Sequence, residues 1–274
     1  MHPQIAAFAR LAGENTPPVR VLEGQKTLIS RTMHGFAYDA IHDEIVVTSP
    51  LAQAILTFRG GANGEEPPIR VIQGPHTQIQ GDYPGTGAND RVSVDPVNGE
   101  YYMFSTPNTI LVFDRAANGD VAPKRALGGP DTLISGRSAS AVDPTRDLLM
   151  VNSSNRMLIF DRTANGNVKP KAIIQGPKSG MSTIESFQVY PPKGLIIAAA
   201  QGGYIGAWSI EDKGDAPPKT RIPVKQLTGY DPLGIAIDPV HKEIMFSAAA
   251  NERTVRPPSG IMNTVITFSW PEIF

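Results

Sequence analysis

Short apolar runs that end in Phe or Trp recur along this chain, each followed by a polar turn containing Gly and then by a Pro. The closing aromatics are Phe8, Phe58, Phe113, Phe160, Trp208 and Phe268. Their spacing of roughly fifty residues is the period of a four-stranded β-propeller blade. Each unit opens with a half-apolar strand A: GFAYD from Gly35, RVSVDP from Arg91, ASAVDP from Ala139, SFQVYP from Ser186 and GIAIDP from Gly234. Strand B follows as EIVVTS from Glu44, EYYMFS from Glu100, LLMVNS from Leu148, LIIAAA from Leu195 and EIMFSA from Glu243. These runs are almost continuously apolar, as strands covered on both faces must be. Strand C is AILTF, TILVF, RMLIF, YIGAW and TVITF, ending at the aromatics from Phe58 onward. Asn63-Gly64, Asn118-Gly119, Asn165-Gly166 and Lys213-Gly214 then turn the chain, because Asn and Gly tolerate positive φ. Strand D starts at Pro68, Pro123, Pro170 and Pro218, and an outer edge strand accepts a Pro that cannot donate.

The pattern predicts an all-β fold in a single β-propeller domain over 1–274, with units at about 35–74, 91–129, 138–176, 185–225 and 233–269. The last unit stops after strand C, while PVRVLEG at 18–24 reads as a strand D. We therefore expect five blades, with the N-terminal strand supplying the outer strand of the last one and closing the ring like Velcro. Ile5 to Phe8 reads as a further strand C. The alternative is six blades, in which the termini build an incomplete blade of their own.

The x-A-V-D-P strand, the apolar strand after it and the x-I-x-V-F strand resemble NHL-repeat propellers and the related lactonase-like and gluconolactonase-like propellers, over almost the whole chain. That resemblance implies a propeller architecture. It also implies a choice of roles, since such propellers include calcium-dependent lactonases, lyases and binding modules. The longer turn between strands C and D, with its Asn-Gly and following Pro, departs from the NHL pattern.

Charge narrows the partners. Lys+Arg 25 against Asp+Glu 26 leaves a formal net charge of -1 without a basic block, which excludes nucleic acid as an expected partner. No apolar run is long enough to insert in a membrane, and a secreted or periplasmic location is expected only if a signal peptide has been removed. The absence of Cys removes disulfides, thiolate metal sites and a thiol nucleophile.

Candidate chemistry is expected where the repeat is broken on the face made by the D-to-A and B-to-C loops, at the mouth of the central channel. Five residues before the strand-A Asp or its equivalent stand His34, Asp90, Ser138, Glu185 and Leu233. Asp90 and Glu185 are the candidate ligands for a hard cation such as Ca²⁺, and His34 or Asp231 the candidate general base. Tyr83, Asn89, Arg91, Arg137, Ser138, Asn152 and Arg253 are the candidate ligand-binding residues, Tyr83 at the tip of the long GDYPGTG loop and Arg253 in the insertion NERTVRPPSG. The plain alternative is a wet channel mouth with no ligand. Asp39, Asp95, Asp143 and Asp238 recur, so they are expected to hold the turn after strand A; His42 and His241 follow two of them by three residues. No Gly-x-Ser-x-Gly, His-Glu-x-x-His, dinucleotide or Walker sequence occurs. The expected function is a non-enzymatic scaffold binding a protein, peptide or glycan through loops on one face. The alternative is a metal-dependent lactonase, hydrolase or lyase at the channel mouth.

Overall fold

The computed structural model describes residues 4–30, 35–80, 91–136, 138–181, 184–200, 202–249 and 263–274. The fold is all-β and of the β-propeller class, with five successive blades among the described residues. In chain order the first has β3 (Phe36–Asp39), β4 (Glu44–Ser49), β5 (Ala54–Arg59) and β6 (Arg70–Gln73). The second has β7 (Val92–Asp95), β8 (Glu100–Ser105), β9 (Thr109–Asp114) and β10 (Arg125–Gly128). The third has β11 (Ser140–Asp143), β12 (Leu148–Ser153), β13 (Arg156–Asp161) and β14 (Ala172–Gln175). The fourth has β15 (Ile184–Tyr190), β16 (Leu195–Ala200), β17 (Tyr204–Ser209) and β18 (Thr220–Ile222). A short helix α1 (Val224–Thr228) leads to the fifth, built of β19 (Asp231–Asp238), β20 (Glu243–Ala249) and β21 (Asn263–Ser269). Strands A to D of the repeat are thus consecutive antiparallel neighbours, as the apolar runs and turns predict.

The N-terminal strand takes a different partner from the expected one. β2 (Arg20–Glu23) pairs with β1 (Gln4–Ala7) in a two-stranded sheet, from Gln4↔Glu23 to Ala7↔Arg20, and β21 has β20 as its one sheet neighbour among the described residues. The local reason is proximity: β1 and β2 meet through a short connection, whereas any pairing with β21 must close a loop of most of the chain.

By contact the molecule comprises two compact units. One is Met1–Thr132 with Gly136–Ser140 and Ala164–Val168; the other is Leu133–Ser135, Ala141–Thr163 and Lys169–Phe274. In the first, Leu22, Ile45, Val47, Leu56 and Phe58 form one buried cluster, and Val46, Ile55, Ile72, Tyr101, Met103 and Phe113 form another. In the second, Ile197, Ile205, Val224, Ile244, Phe246 and Trp270 form a buried cluster. The aromatics that end strand C are fully buried at Phe58, Phe113, Phe160 and Trp208. Phe268 in β21 is half-buried, and Phe8, just after β1, is exposed.

The Asn-Gly turns do more than reverse the chain. Gly64, Gly119, Gly166 and Gly214 each form a parallel bridge to the D strand of the preceding sheet, at Leu22, Ile72, Leu127 and Ile174. Asn63, Asn118 and Asn165 accept the N–H of Val21, Val71 and Ala126 at 2.9 to 3.0 Å. Beyond β2, β6, β10 and β14 a Gly-x-x-Thr or Gly-x-x-Ser turn is closed by a buried hydroxyl: Thr27, Thr77, Thr132 and Ser179 donate to the carbonyls of Gly24, Gly74, Gly129 and Gly176 at 2.6 to 2.7 Å. That motif was also present in the sequence and passes unnoticed there, since its meaning lies in burial.

Candidate functional site

Most of the repeated charged groups belong to the scaffold. Asp39, Asp95, Asp143 and Asp238 each use Oδ1 to accept two backbone N–H groups of the A-to-B turn, at 2.9 to 3.1 Å. Their Oδ2 atoms accept from the residue three further on: His42, Asn98, Arg146 and His241, at 2.7 to 2.8 Å. Replacement of His by Asn or Arg in the same role shows that the two histidines are turn partners. Asp238, His241 and Glu243 also bring one ligand atom each within 4.8 Å of one another, the spacing a metal ion needs. The blade-one counterparts, Asp39, His42 and Glu44, keep the Asp–His bond while Glu44 is taken by two arginines.

Among the described residues, the second unit departs from the repeat at the starts of its strands A. β15 and β19 begin earlier than β3, β7 and β11, and both break register, between Ile184 and Ser186 and between Pro232 and Ile235. Glu185 occupies the first of these bulges and is half-buried. Bulges re-aim side chains and are common beside binding sites. Asn152, buried at the B-to-C corner of β12, donates Nδ2 to the Ile184 carbonyl at 3.1 Å and so holds the backbone next to Glu185. The two strands are stitched by side chains: Ser186 Oγ accepts from the N–H of Ile235 at 3.4 Å, and Gln188 Oε1 from that of Ile237 at 3.1 Å.

Asp231 opens β19. Its Oδ2 accepts from Lys225 Nζ at 3.0 Å, and its Oδ1 is buried without a hydrogen-bond partner among the described residues. Lys225 is placed by α1, whose first turn is tied down by the Lys225 N–H donating to Gly203 at 2.7 Å. Beside it, the Arg221 guanidinium lies 5.7 Å from the centre of the Tyr204 ring, a cation–π distance. Burial pushes the Tyr204 hydroxyl up from its ordinary range, against the lowering effect of Arg221.

Of the sequence-predicted residues, this region brings together Asn152 and Glu185, through Ile184, and holds Asp231 with Lys225. Arg91, half-buried before β7, and Ser138, buried before β11, belong to the other unit. His34, Tyr83, Asn89, Asp90, Arg137 and Arg253 lie outside the described residues. Sequence reasoning missed Lys225, Tyr204 and Arg221. The signal for Lys225 was available in the segment VKQLT, which replaces the Gly-x-x-Thr turn found after the other D strands.

Compared with known proteins, the chain matches no family model and no curated protein. Among the described residues no helix is long and apolar enough to cross a membrane.

Proposed function

We propose that this propeller is a binding scaffold that recognises a protein, peptide or glycan through the loops that flank its strands A. The observation that carries this reading is the contrast between the spent charges of the repeat and the irregular starts of β15 and β19, which carry Glu185 and the Lys225–Asp231 pair. There Asp231 and Asn152 are engaged by Lys225 and by the Ile184 carbonyl. Groups fixed by such bonds suit recognition, since pre-ordered polar atoms lower the cost of binding. Asn152 belongs to this region; Arg91 and Ser138 of the other unit, with Tyr83, Asn89, Arg137 and Arg253, are further candidate ligand-binding residues of the same reading. The test is an array of peptides and glycans probed with the wild-type chain and with Lys225→Ala and Glu185→Ala. A ligand retained by the wild type and lost from both variants at unchanged melting temperature supports the reading; a ligand indifferent to both overturns it.

A second reading is favoured by the unpartnered Oδ1 of Asp231: a metal-dependent hydrolase of the lactonase-like kind that the strand motifs resemble. Glu185 and Asp231 offer carboxylate oxygens, which suit Ca²⁺. Lys225 competes for one oxygen of Asp231, so the described donors fit a cation only in part. In this reading Asp90 and Glu185 hold Ca²⁺, with His34 or Asp231 as general base. Chelator-treated protein is melted with and without Ca²⁺. A rise that disappears in Glu185→Ala supports the hydrolase and directs substrate screening to lactones; unchanged melting removes the calcium reading.

A further inference from the structure

Three of the turns that clasp a preceding strand do so with the two groups that react in asparagine deamidation, the side-chain amide of an Asn and the backbone nitrogen of the Gly after it. Asn63 Oδ1 accepts the N–H of Val21 in β2 at 3.0 Å, and the Gly64 N–H donates back to the Val21 carbonyl at 2.7 Å. Asn118 and Gly119 bind Val71 in β6 in the same way, at 2.9 and 2.6 Å. Asn165 and Gly166 bind Ala126 in β10, at 3.0 and 2.8 Å. The fourth clasp keeps the backbone half, since Gly214 donates to the Ile173 carbonyl at 2.7 Å, but Lys213 stands in the Asn position.

An Asn-Gly pair is prone to this reaction because Gly puts no side chain in the way of ring closure. The Gly amide gives its proton to base, and its nitrogen bonds to the Asn Cγ. The Cγ–Nδ2 bond then breaks, and ammonia leaves with a proton taken from solvent. Water opens the resulting succinimide at either carbonyl, which leaves Asp or isoaspartate. Asn63, Asn118 and Asn165 are exposed, so base and water reach them. The proton that must depart, however, is the one donated to Val21, Val71 or Ala126, and the amide that must be attacked is oriented by its bond to the same residue. An amide proton bonded in this way is released when the bond opens, and ring closure needs the two reacting atoms in near-attack contact. Isoaspartate adds a carbon to the main chain, which moves the Gly N–H off its acceptor.

We propose that Asn63, Asn118 and Asn165 are modification sites gated by their own clasps: each converts to Asp and isoaspartate while its clasp is open, and isoaspartate then keeps that clasp from re-forming. The test incubates the full chain in mildly alkaline buffer, folded and guanidinium-unfolded, and follows each Asn by peptide mapping with mass spectrometry. Hydrogen exchange of the Gly64, Gly119 and Gly166 amides is measured under the same folded conditions. Expected is deamidation at least about tenfold slower in the folded chain at all three positions, with each slowing matched by the exchange protection of the following Gly. The variant Asp120→Ala removes the acceptor of the His76 N–H, a 2.7 Å bond beside the Asn118 clasp. It should raise Asn118 deamidation and Gly119 exchange together, each relative to the same unfolded variant, and leave Asn165 as slow as before. Folded rates equal to the unfolded ones overturn the proposal. So does Gly119 exchange that rises without Asn118 deamidation, an unchanged Asn118 rate in Asp120→Ala, or an equal rise at all three positions, which would make global unfolding the gate.

Discussion

Arg70 donates to Glu44 at 2.6 Å from the outer strand of the same blade, and Arg115 of the following blade reaches the second carboxylate oxygen at 2.9 Å. Burial pushes the Glu44 carboxyl up, but the hydrogen bonds from Arg70, Arg115 and Tyr101 outweigh it and hold the group below its usual range. The pair therefore links strands B and D within one blade and locks the next blade to it.

Removing Arg70 leaves the buried Glu44 carboxylate to Arg115 and Tyr101 alone. Arg70→Met should destabilise the protein by about 1.5 to 3 kcal/mol in urea denaturation, the loss of a hydrogen bond to a charged group. The double variant Glu44→Leu, Arg70→Ala, which copies Leu148 and Ala172 of the third blade, should recover most of that loss, because apolar replacement of a buried pair is close to neutral. A double variant no more stable than Arg70→Met would contradict this.

Glu100 gives the chain a defined acid limit. Burial raises its pKa, yet hydrogen bonds from Arg125, Lys124 and Tyr102 prevail and bring it from 4.5 down to about 2. A carboxylate depressed in the folded state contributes stability that is fully present above its unfolded pKa and is lost as pH falls through the folded value. Stability should decline between 4.5 and about 2. The slope of melting temperature against pH in that window should be shallower in Glu100→Gln.

Asp143 is fully buried and fixes its turn through Thr145, Arg146 and the Arg146 guanidinium. Asp143→Ala should cost about 2 to 3 kcal/mol, since several bonds to a charged acceptor vanish together. Asp238→Ala, on a more exposed turn, should cost less than half as much. Chemical denaturation of both variants compares them directly.

Gly74 has φ 137 and faces the Asp120 carboxylate, which accepts the N–H of His76 at 2.7 Å. A Cβ there meets the Asp120 side chain and an unfavourable backbone at once. Gly74→Ala should destabilise by about 1 to 3 kcal/mol, and Asp120→Ala in the same chain should relieve part of it. Additive losses in the double-variant cycle would exclude the clash as the cause.

The blades were legible in the sequence because their information is local. Alternation, buried runs such as Glu44–Ser49 and the aspartates after strand A require only neighbouring residues to be understood. The Asn-Gly turns were read as reversals, but their second task, clasping the preceding D strand at Leu22 or Ile72, depends on contacts tens of residues away. Of the candidate site, Asn152, Glu185 and Asp231 were visible as breaks in the repeat. Lys225 was not, because its role follows from the placement of α1 beside Asp231.

The amino-acid order alone determined the propeller class, the strand boundaries and the scaffold role of the repeated aspartates, since a periodic pattern of burial admits few architectures. Only the tertiary structure decided the pairing at the ends, where β2 joins β1 and, among the described residues, β21 has β20 as its one neighbour. The physical reason is that interchangeable repeats make several pairings chemically equivalent, so the choice among them rests on chain connectivity and on which strand edges meet in space.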